Sequence, residues 1–392
     1  MTTYHLTKGL SMHRYFPFLA VVCALTSMPA VAQNEQTGYF LTRIGQDTIA
    51  IEEFSADARG LRGTCLVRAP RTTVREYSGV FNAEGNLENF HVISRLYGGA
   101  LVNERDFVYS DDSVHVTIKQ DTSTTRYAVA TQGRPFPLFI DLFEGWQIAL
   151  QRGLMANDKH FGVLAGKRVL HYTIEGGSPG ALELKNSDGD FGPIHVEVGK
   201  EGRLQKFDMT ATTDKFIAEQ IPSVDVKAMA KEFADRERSG SALGVLSPRD
   251  TVRAEITGAH LMIDYGRPAA RGRTIFGHVV PWDSVWRTGA NAATQLITDK
   301  EIQFGSITVP PGTYSLFTLP GTDRWLLIIN RQHGQWGTAY DQSKDLARLP
   351  LDIQHGEELV ERFTFEIAPA GKEGLLRFEW EHTIASIPFT VR

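Results

Sequence analysis

The sequence predicts a mainly β protein of two domains, an N-terminal antiparallel sheet with one packing helix and a C-terminal β-sandwich. Over most of residues 38–209, apolar and polar residues alternate, as they do around Val114 and Val116. Such alternation is typical of strands with one buried and one solvated face. Residues 239–244 form a linker of small residues, and several short alternating runs with little helical pattern follow it, which is typical of a sandwich.

The length of 392 residues exceeds that of one typical hydrophobic core and favours more than one domain. The predicted divisions are a signal peptide at 1–32, an N-terminal domain at 33–238, the linker at 239–244 and a C-terminal domain at 245–392. Eight C-terminal strands are expected, at 251–257, 260–265, 294–299, 313–319, 325–330, 361–367, 375–381 and 386–391.

The first 32 residues have the pattern of a secretory signal peptide. Arg14 precedes an apolar run at 16–25, and Ala30-Val31-Ala32 provides small residues at a cleavage site. An apolar run of this length is about half of the roughly 20 residues that a membrane-spanning helix requires. We therefore expect a periplasmic or secreted protein with no stable membrane span.

Composition disfavours several classes of protein. Removal of residues 1–32 would take away two of the 41 basic residues and none of the 46 acidic ones, which leaves a net charge of −7. Nucleic-acid binding needs a concentrated basic face, so no nucleic-acid partner is expected. Cys65 would be the one remaining cysteine, too few for a disulfide or a structural zinc site. Residues 186–197 resemble a calcium loop but place Phe191 where that loop requires glycine, so neither metal nor cofactor is expected.

One helix interrupts the strand pattern of the N-terminal domain, and a second follows that pattern. Residues 137–152 carry an apolar stripe that includes Leu138, Leu142 and Trp146, broad enough to pack across a sheet. The simplest interpretation is a helix that covers a core; the alternative is a lid over an apolar cavity, as in a periplasmic carrier of an apolar ligand. A second helix is expected over residues 223–238.

The most unusual stretch is residues 265–291. Apolar and polar residues do not alternate in it, yet its 27 residues include four arginines, two tryptophans, four glycines and a single carboxylate, Asp283. Surface loops of that length are uncommon unless they are functional or disordered, and this aromatic content argues against disorder. We therefore expect a candidate site here.

The C-terminal domain resembles the bacterial domain of unknown function 2911 family over residues 246–392. The resemblance is carried by an ordered set of motifs: Ser247-Pro-Arg249, Tyr265-Gly-Arg-Pro268, Arg271-Gly-Arg273, Ile275-Phe-Gly277, Trp286-Arg-Thr-Gly-Ala-Asn291, Pro311-Gly-Thr-Tyr-Ser-Leu-Phe317, Asn330 and Gln335-Trp336-Gly337. It implies an exported bacterial protein with a β-rich domain. It implies no activity, and it does not extend to residues before 245.

Two interpretations of the arginine-rich loop remain open. Its arginines could hold the loop in place by pairing with carboxylates and loop carbonyls, with Trp286 as part of the core. Alternatively, a guanidinium left unpaired in a concave site would bind a small anionic or carbohydrate-like ligand beside an aromatic ring. The candidate ligand-binding residues are Arg267, Arg273, Trp286, Arg287, Asn291, Tyr314, Trp336 and Tyr340.

Whether the protein is an enzyme is left open by the sequence, which predicts no catalytic residue. The alternative function is a hydrolase that uses His278, His333 or a pair of carboxylates from Asp264, Asp283 and Asp345. The segment 176–180 matches a serine nucleophile elbow by letter. Its residue after the serine is Pro179, which has no N–H for an oxyanion hole, so a turn is expected there instead.

Overall fold

The computed structural model describes residues 35–155, 159–176, 180–189, 192–371 and 373–392. Glu35–Arg392 forms one compact unit. The signal peptide predicted at 1–32 lies outside the described residues, as do the middle of the 176–180 segment and two residues of the calcium-like loop. The described residues are mainly β, as predicted.

One large sheet contains the strands that precede residue 222. They are β1 (Gln36–Ile44), β2 (Asp47–Asp57), β3 (Gly60–Val67), β4 (Thr73–Phe81), β5 (Leu87–Leu96), β6 (Leu101–Tyr109), β7 (Ser113–Gln120), β8 (Ser123–Ala130), β9 (Phe136–Pro137), β10 (His160–Ala165), β11 (Arg168–Gly176), β12 (Ala181–Asn186), β13 (Ile194–Val198), β14 (Leu204–Asp208) and β15 (Ile217–Ile221).

This N-terminal sheet is two meanders joined at β1. Its order is β8-β7-β6-β5-β4-β3-β2-β1-β15-β14-β13-β12-β11-β10-β9, and the pairings are antiparallel except that of β9 with β10. Tyr39 of β1 lies opposite Ile221 of β15, and this pairing joins the two meanders into one sheet. The β8 side also approaches the β10–β11 turn, where the Tyr127 hydroxyl donates to the Gly166 carbonyl at 3.4 Å. The sheet therefore curls around one core.

The helix α1 (Glu144–Met155) fills the concave face of this sheet. Its Trp146 ring lies 4.9 Å from the ring of Phe207 and 5.3 Å from that of Tyr172. A carrier would need an open space beside this helix, whereas here the aromatic side chains of the helix and the sheet contact one another. The helix begins seven residues later than the predicted 137–152, because Phe136–Pro137 pairs with β10 as a short strand.

A second helix, α2 (Val226–Arg238), packs on the other face of the sheet. Val226 and Phe233 of this helix belong to one cluster with Ile51 of β2 and Leu66 of β3. The side chain of Asp225 caps the helix by accepting from the Ala228 N–H at 2.9 Å. The expectation of one packing helix is thus corrected to two, because both faces of the curled sheet carry apolar residues. No helix among the described residues has the length and apolarity needed to traverse a bilayer.

Glu52 of β2 is buried inside the curled sheet, and its carboxyl group lies next to the N-terminal end of α1. It accepts from the Tyr77 hydroxyl and from the Phe143 N–H, each at 2.6 Å. Burial raises the pKa of Glu52 from 4.5 to about 7, although both hydrogen bonds oppose the shift. Glu144, also buried, has its pKa raised by burial and then by the charge of Glu52. The carboxyl group of Glu52 is thus protonated in mildly acidic solution.

Glu52→Gln is expected to stabilise the protein increasingly as pH rises. Above pH 4.5 the unfolded chain ionises Glu52 while the folded chain keeps the proton until about pH 7. The wild type therefore loses roughly 3 kcal/mol relative to the variant between these two pH values. Urea titrations of both proteins across this range test the prediction. Parallel stability curves would contradict it.

The strands after residue 248 form two further sheets. They are β16 (Arg249–Ile256), β17 (Ala259–Gly266), β18 (Thr294–Thr298), β19 (Ile302–Phe304), β20 (Ile307–Val309), β21 (Gly312–Leu319), β22 (Leu326–Asn330), β23 (Asp345–Pro350), β24 (Asp352–Ala370) and β25 (Glu373–Val391). One sheet has the order β16-β17-β18-β21-β22-β23 and the other β20-β19-β25-β24. Both contribute to one hydrophobic cluster, Ile263 and Leu316 from the first sheet and Phe363 and Trp380 from the second.

These C-terminal strands differ from the eight predicted ones in three ways. The strand predicted at 361–367 is longer and spans Asp352–Ala370. The runs predicted at 375–381 and 386–391 form one strand, β25, in which Glu381 has a left-handed φ of 52° that marks the break in the pattern. Strands β19, β20 and β23 are additional to the prediction. Strands β19 and β20 have three residues each, too few to show an alternation.

Candidate functional site

The arginine-rich stretch lies between β17 and β18 and is fixed to other strands of the C-terminal sheets. The Ala270 N–H donates to the Glu361 carbonyl at 2.8 Å. Trp286 and Thr318 exchange two backbone hydrogen bonds, each of 2.8 Å. The Ile275 N–H donates to the Glu381 carboxylate at 2.9 Å. The loop is therefore ordered by partners on β21, β24 and β25 rather than by a strand pattern of its own.

Three of the four loop arginines are bound within the protein. Arg267 donates to Asp250 Oδ2 at 3.0 Å and to the Phe363 carbonyl at 3.2 Å. Arg271 is 8% exposed and pairs with Asp47 of β2. Arg273 donates to the carbonyls of Ala269 and Ala270, its own loop. These three arginines therefore hold the loop in place by pairing with carboxylates and carbonyls, which is the first of the two interpretations.

A cavity of about 860 Å³ lies between this loop and one end of the N-terminal sheet. Its N-terminal wall comes from the β1–β2 and β3–β4 connections and from residues 211–216 between β14 and β15. Arg271, Arg273, Trp286, Arg287 and Asn291 line its C-terminal wall. The volume falls in the range of small-molecule sites, about 300–1,000 Å³.

Arg287 differs from the other loop arginines. Its side chain is half-buried and lines the cavity, yet its guanidinium makes no hydrogen bond or ion pair with any residue that the structure describes. Burial lowers the pKa of Arg287, and the charge of Asp214 partly opposes that shift. An arginine stays protonated in proteins even after such a shift. The cavity therefore contains a partly desolvated cation whose hydrogen-bond donors are unused.

Lys215 adds a second cation from the opposite wall. Its ammonium group donates to the Thr210 carbonyl at 2.9 Å, and burial followed by the charges of Arg273 and Arg287 lowers its pKa. Asp214, beside it, has its pKa raised by burial, while Arg287 opposes that shift. Asp214 is the one carboxylate among the described residues that line the cavity. Positive charge therefore exceeds negative charge there.

The backbone next to Arg287 is held in a sparsely populated conformation. Thr288 has a φ of 48°, which is rare for a β-branched residue, and Asn291 has a φ of 64°. Thr288 is fully buried, and its hydroxyl lies 2.8 Å from that of Thr318. Gly337 leaves space for the stem of Arg287, since a Cβ there would overlap Arg287 Cδ. Strained residues of this kind cluster at functional sites, where neighbouring contacts hold them.

Sequence comparison identifies a family for the C-terminal region alone. Residues 247–389 match the family model described as "Protein of unknown function (DUF2911)". The C-terminal region is a DUF2911 match. The resemblance expected from the ordered motifs is thus confirmed, and it assigns no activity. No curated protein matches the chain by sequence.

Two solved structures illustrate how limited the structural likeness is. A β-barrel-like protein of domain of unknown function DUF1849 from Brucella abortus is 13% identical and has a TM-score of 0.32; the match covers 50% of this chain and 99% of that protein. Botulinum neurotoxin type C, whose cell entry is dependent upon interaction with two ganglioside molecules, is 8% identical with a TM-score of 0.11, over 92% of this chain and 87% of that one. Both scores lie below 0.5, so neither likeness supports a function.

Five of the eight predicted binding residues line the cavity beside the DUF2911 region: Arg273, Trp286, Arg287, Asn291 and Tyr340. The other three do not line it. Arg267 is bound to Asp250, the Tyr314 hydroxyl donates to the Pro310 carbonyl within the core, and Trp336 is 56% exposed.

The carboxylates proposed for a hydrolase are engaged elsewhere. Asp264 accepts from Arg249 at 2.9 Å, and Asp345 accepts from Tyr340 at 2.7 Å. Neither of these carboxylates lines the cavity, and nor do Asp283, His278 or His333. A mechanism that needs two carboxylates therefore finds only Asp214 among the described lining residues.

The N-terminal sheet contributes residues to this site that the sequence pattern does not predict. Lys215 and Asp214 lie in the β14–β15 connection, and Ile140 lies in the segment before α1. Nothing in the local sequence marks these residues, since their role depends on how two sheets meet. A left-handed φ of 61° at Lys215 sets it apart, but only coordinates show that angle.

Two other polar groupings have partners of their own. A hollow of about 370 Å³ on strands β11–β14 is lined by charged side chains, among which Lys206 pairs with Asp208 at 3.4 Å. His91, Glu104 and Asp106 on β5 and β6 place possible metal-ligand atoms within 4.8 Å of one another. Lys119 already donates to Glu104 at 3.1 Å, so a cation would have to displace it.

Proposed function

We propose that this chain is an exported bacterial protein, with two β-rich domains, that binds a small anionic ligand in the cavity between the N-terminal sheet and the DUF2911 region. The observation that carries the proposal is Arg287, a half-buried cation in the cavity whose guanidinium makes no hydrogen bond or ion pair with a described residue and whose charge only Asp214 partly offsets. Desolvating a charge is costly unless a group of opposite charge compensates. A bound anion would supply that compensation.

The arrangement favours a carboxylate or phosphate over a neutral ligand. The guanidinium fork can give two parallel hydrogen bonds to either group, and Lys215 adds a point charge on the opposite wall. Asp214 limits the total negative charge that the site accepts, since its carboxylate faces the same cavity. The ligand would touch both sheets and so bridge the N-terminal sheet and the DUF2911 region.

Arg287→Gln is expected to weaken anion binding by about tenfold to a hundredfold, the loss of a charge-assisted hydrogen-bonding pair. The measurement is calorimetric titration of the purified protein with inorganic phosphate, citrate and benzoate. Melting temperature without ligand should change little, because Arg287 makes no hydrogen bond or ion pair with the described residues.

Arg253→Gln is the matched control, since Arg253 is an exposed arginine of β16 that does not line the cavity. This variant should bind each anion as the wild type does. Equal binding by the Arg287 and Arg253 variants would contradict the proposal. A large drop in unliganded stability for Arg287→Gln alone would instead assign Arg287 a structural role.

A further inference from the structure

Resting on the proposed function, we infer that the ligand of this cavity is an amphipathic anion, with one carboxylate or phosphate head and an apolar body. The cations Arg287 and Lys215 can hold the head, whereas most of the other lining side chains are apolar, chiefly aliphatic. A sugar or a small polar anion would leave those aliphatic walls in contact with polar groups.

The apolar walls come from both halves of the chain. Ile44 and Ile49 flank the β1–β2 turn, and Ile140 precedes α1. From the other side come Val245 and Val285. Ile140 is 54% exposed, Val245 55% and Val285 38%, although large aliphatic side chains are mostly buried in folded proteins. Three exposed aliphatic side chains from separate segments thus meet at one cavity, which indicates an apolar group that covers them.

Two of the polar side chains that could recognise sugar hydroxyls are already engaged. The Tyr340 hydroxyl donates to Asp345 at 2.7 Å and accepts from Arg348 at 2.7 Å. The Thr212 hydroxyl donates to the Met209 carbonyl at 2.8 Å. A carbohydrate site would point such groups into the cavity, because a sugar hydroxyl that is buried there without a hydrogen-bond partner would weaken binding.

The indole faces that would stack on a sugar ring are also poorly placed. Trp282 and Trp336 do not line the cavity. Trp286 does, but its ring is stacked on that of Trp380 at 5.9 Å with an interplanar angle of 19°, and its N–H donates to the Gly289 carbonyl. What remains for a ligand is an apolar edge beside a cation, which suits an acyl or aryl chain that ends in an acid.

The test is a series of ligands that separates head from body. Calorimetry with acetate, hexanoate and decanoate, each below its critical micelle concentration, measures the effect of chain length. Burying a methylene is expected to raise affinity by about threefold to fourfold, so decanoate should bind roughly a hundredfold more tightly than hexanoate. Glucuronate supplies a polar body with the same head, and hexanol supplies an apolar body without one.

Variants assign the two parts of the ligand to the two parts of the cavity. Ile140→Ser should weaken decanoate binding severalfold and leave phosphate binding unchanged. Val108→Ser is its control, because Val108 is likewise 54% exposed but lies on β6 and does not line the cavity. Arg287→Gln should weaken decanoate binding at least tenfold and leave hexanol binding unchanged.

The outcomes distinguish this inference from the proposed function. Affinity that is flat along the chain-length series, with glucuronate bound as tightly as decanoate, would overturn the amphipathic ligand and leave an anion site in place. Absence of binding by any anion would overturn both. Decanoate binding that is unchanged in Arg287→Gln would show that the head is not recognised and would overturn the inference as well.

Discussion

Asp47→Asn is expected to lower the free energy of unfolding by roughly 3 kcal/mol, the range for breaking a buried ion pair by removing one partner. Asp47 pairs with Arg271, whose side chain is 5% exposed, and lies 3.9 Å from Arg68, which is 12% exposed. The substitution would remove the carboxylate that pairs with both guanidinium groups, which lie near each other and are largely desolvated. Chemical denaturation of the wild type and the variant at neutral pH measures the difference.

Asp250→Asn is the matched control for that prediction. Its partner in the same loop is Arg267, and the two side chains are 44% and 31% exposed. Solvent-exposed pairs contribute at most about 1 kcal/mol. Similar losses for both variants would contradict the argument that the buried position of Arg271 makes its pair the costly one to break.

Phe363→Ala is expected to cost about 3–5 kcal/mol, as large-to-small changes of fully buried aromatic residues do. Phe363 is 0% exposed, and its ring lies within 5.2–5.8 Å of the rings of Trp286, Phe365, Phe378, Trp380 and Tyr265. Removing it would leave a cavity under Trp286, the aromatic wall of the proposed site. We expect weaker anion binding in addition to a lower melting temperature.

Trp336→Ala tests whether position rather than aromatic character determines that cost. Trp336 is larger than Phe363 but is 56% exposed and does not line the ligand cavity. Its replacement should change the free energy of unfolding by less than about 1 kcal/mol. A loss as large as that of Phe363→Ala would show that the exposed ring has a structural role that its surroundings do not reveal.

The sequence predicts the strands well where a sheet has one wet face. Residues 260–265 alternate cleanly, and the structure places a strand at Ala259–Gly266. It predicts the start of α1 less well. Leu138 and Leu142 continue the helical spacing of the apolar residues, yet they precede the helix because Phe136–Pro137 pairs with β10. Local periodicity carries no information about that long-range pairing.

The candidate site was predictable only on its C-terminal side. The composition of residues 265–291 leads to Arg287 and Trp286, which both line the cavity. Composition cannot separate Arg287 from Arg267, because the difference is the presence of Asp250 beside one of them. Lys215 and Ile140 belong to ordinary segments of the N-terminal sheet. Their proximity to the DUF2911 region follows from the packing of two sheets, which a single sequence does not encode in any readable pattern.

The pairing of β1 with β15 has a consequence for how the chain is assembled. Tyr39 lies opposite Ile221, so the strand synthesised first finds one of its two neighbours only when nearly all of the large sheet has been made. Until then, hairpins such as β2–β3 can form locally, but one edge of β1 stays open to other chains. Nascent molecules interrupted before residue 217 would therefore be the ones most prone to associate with one another.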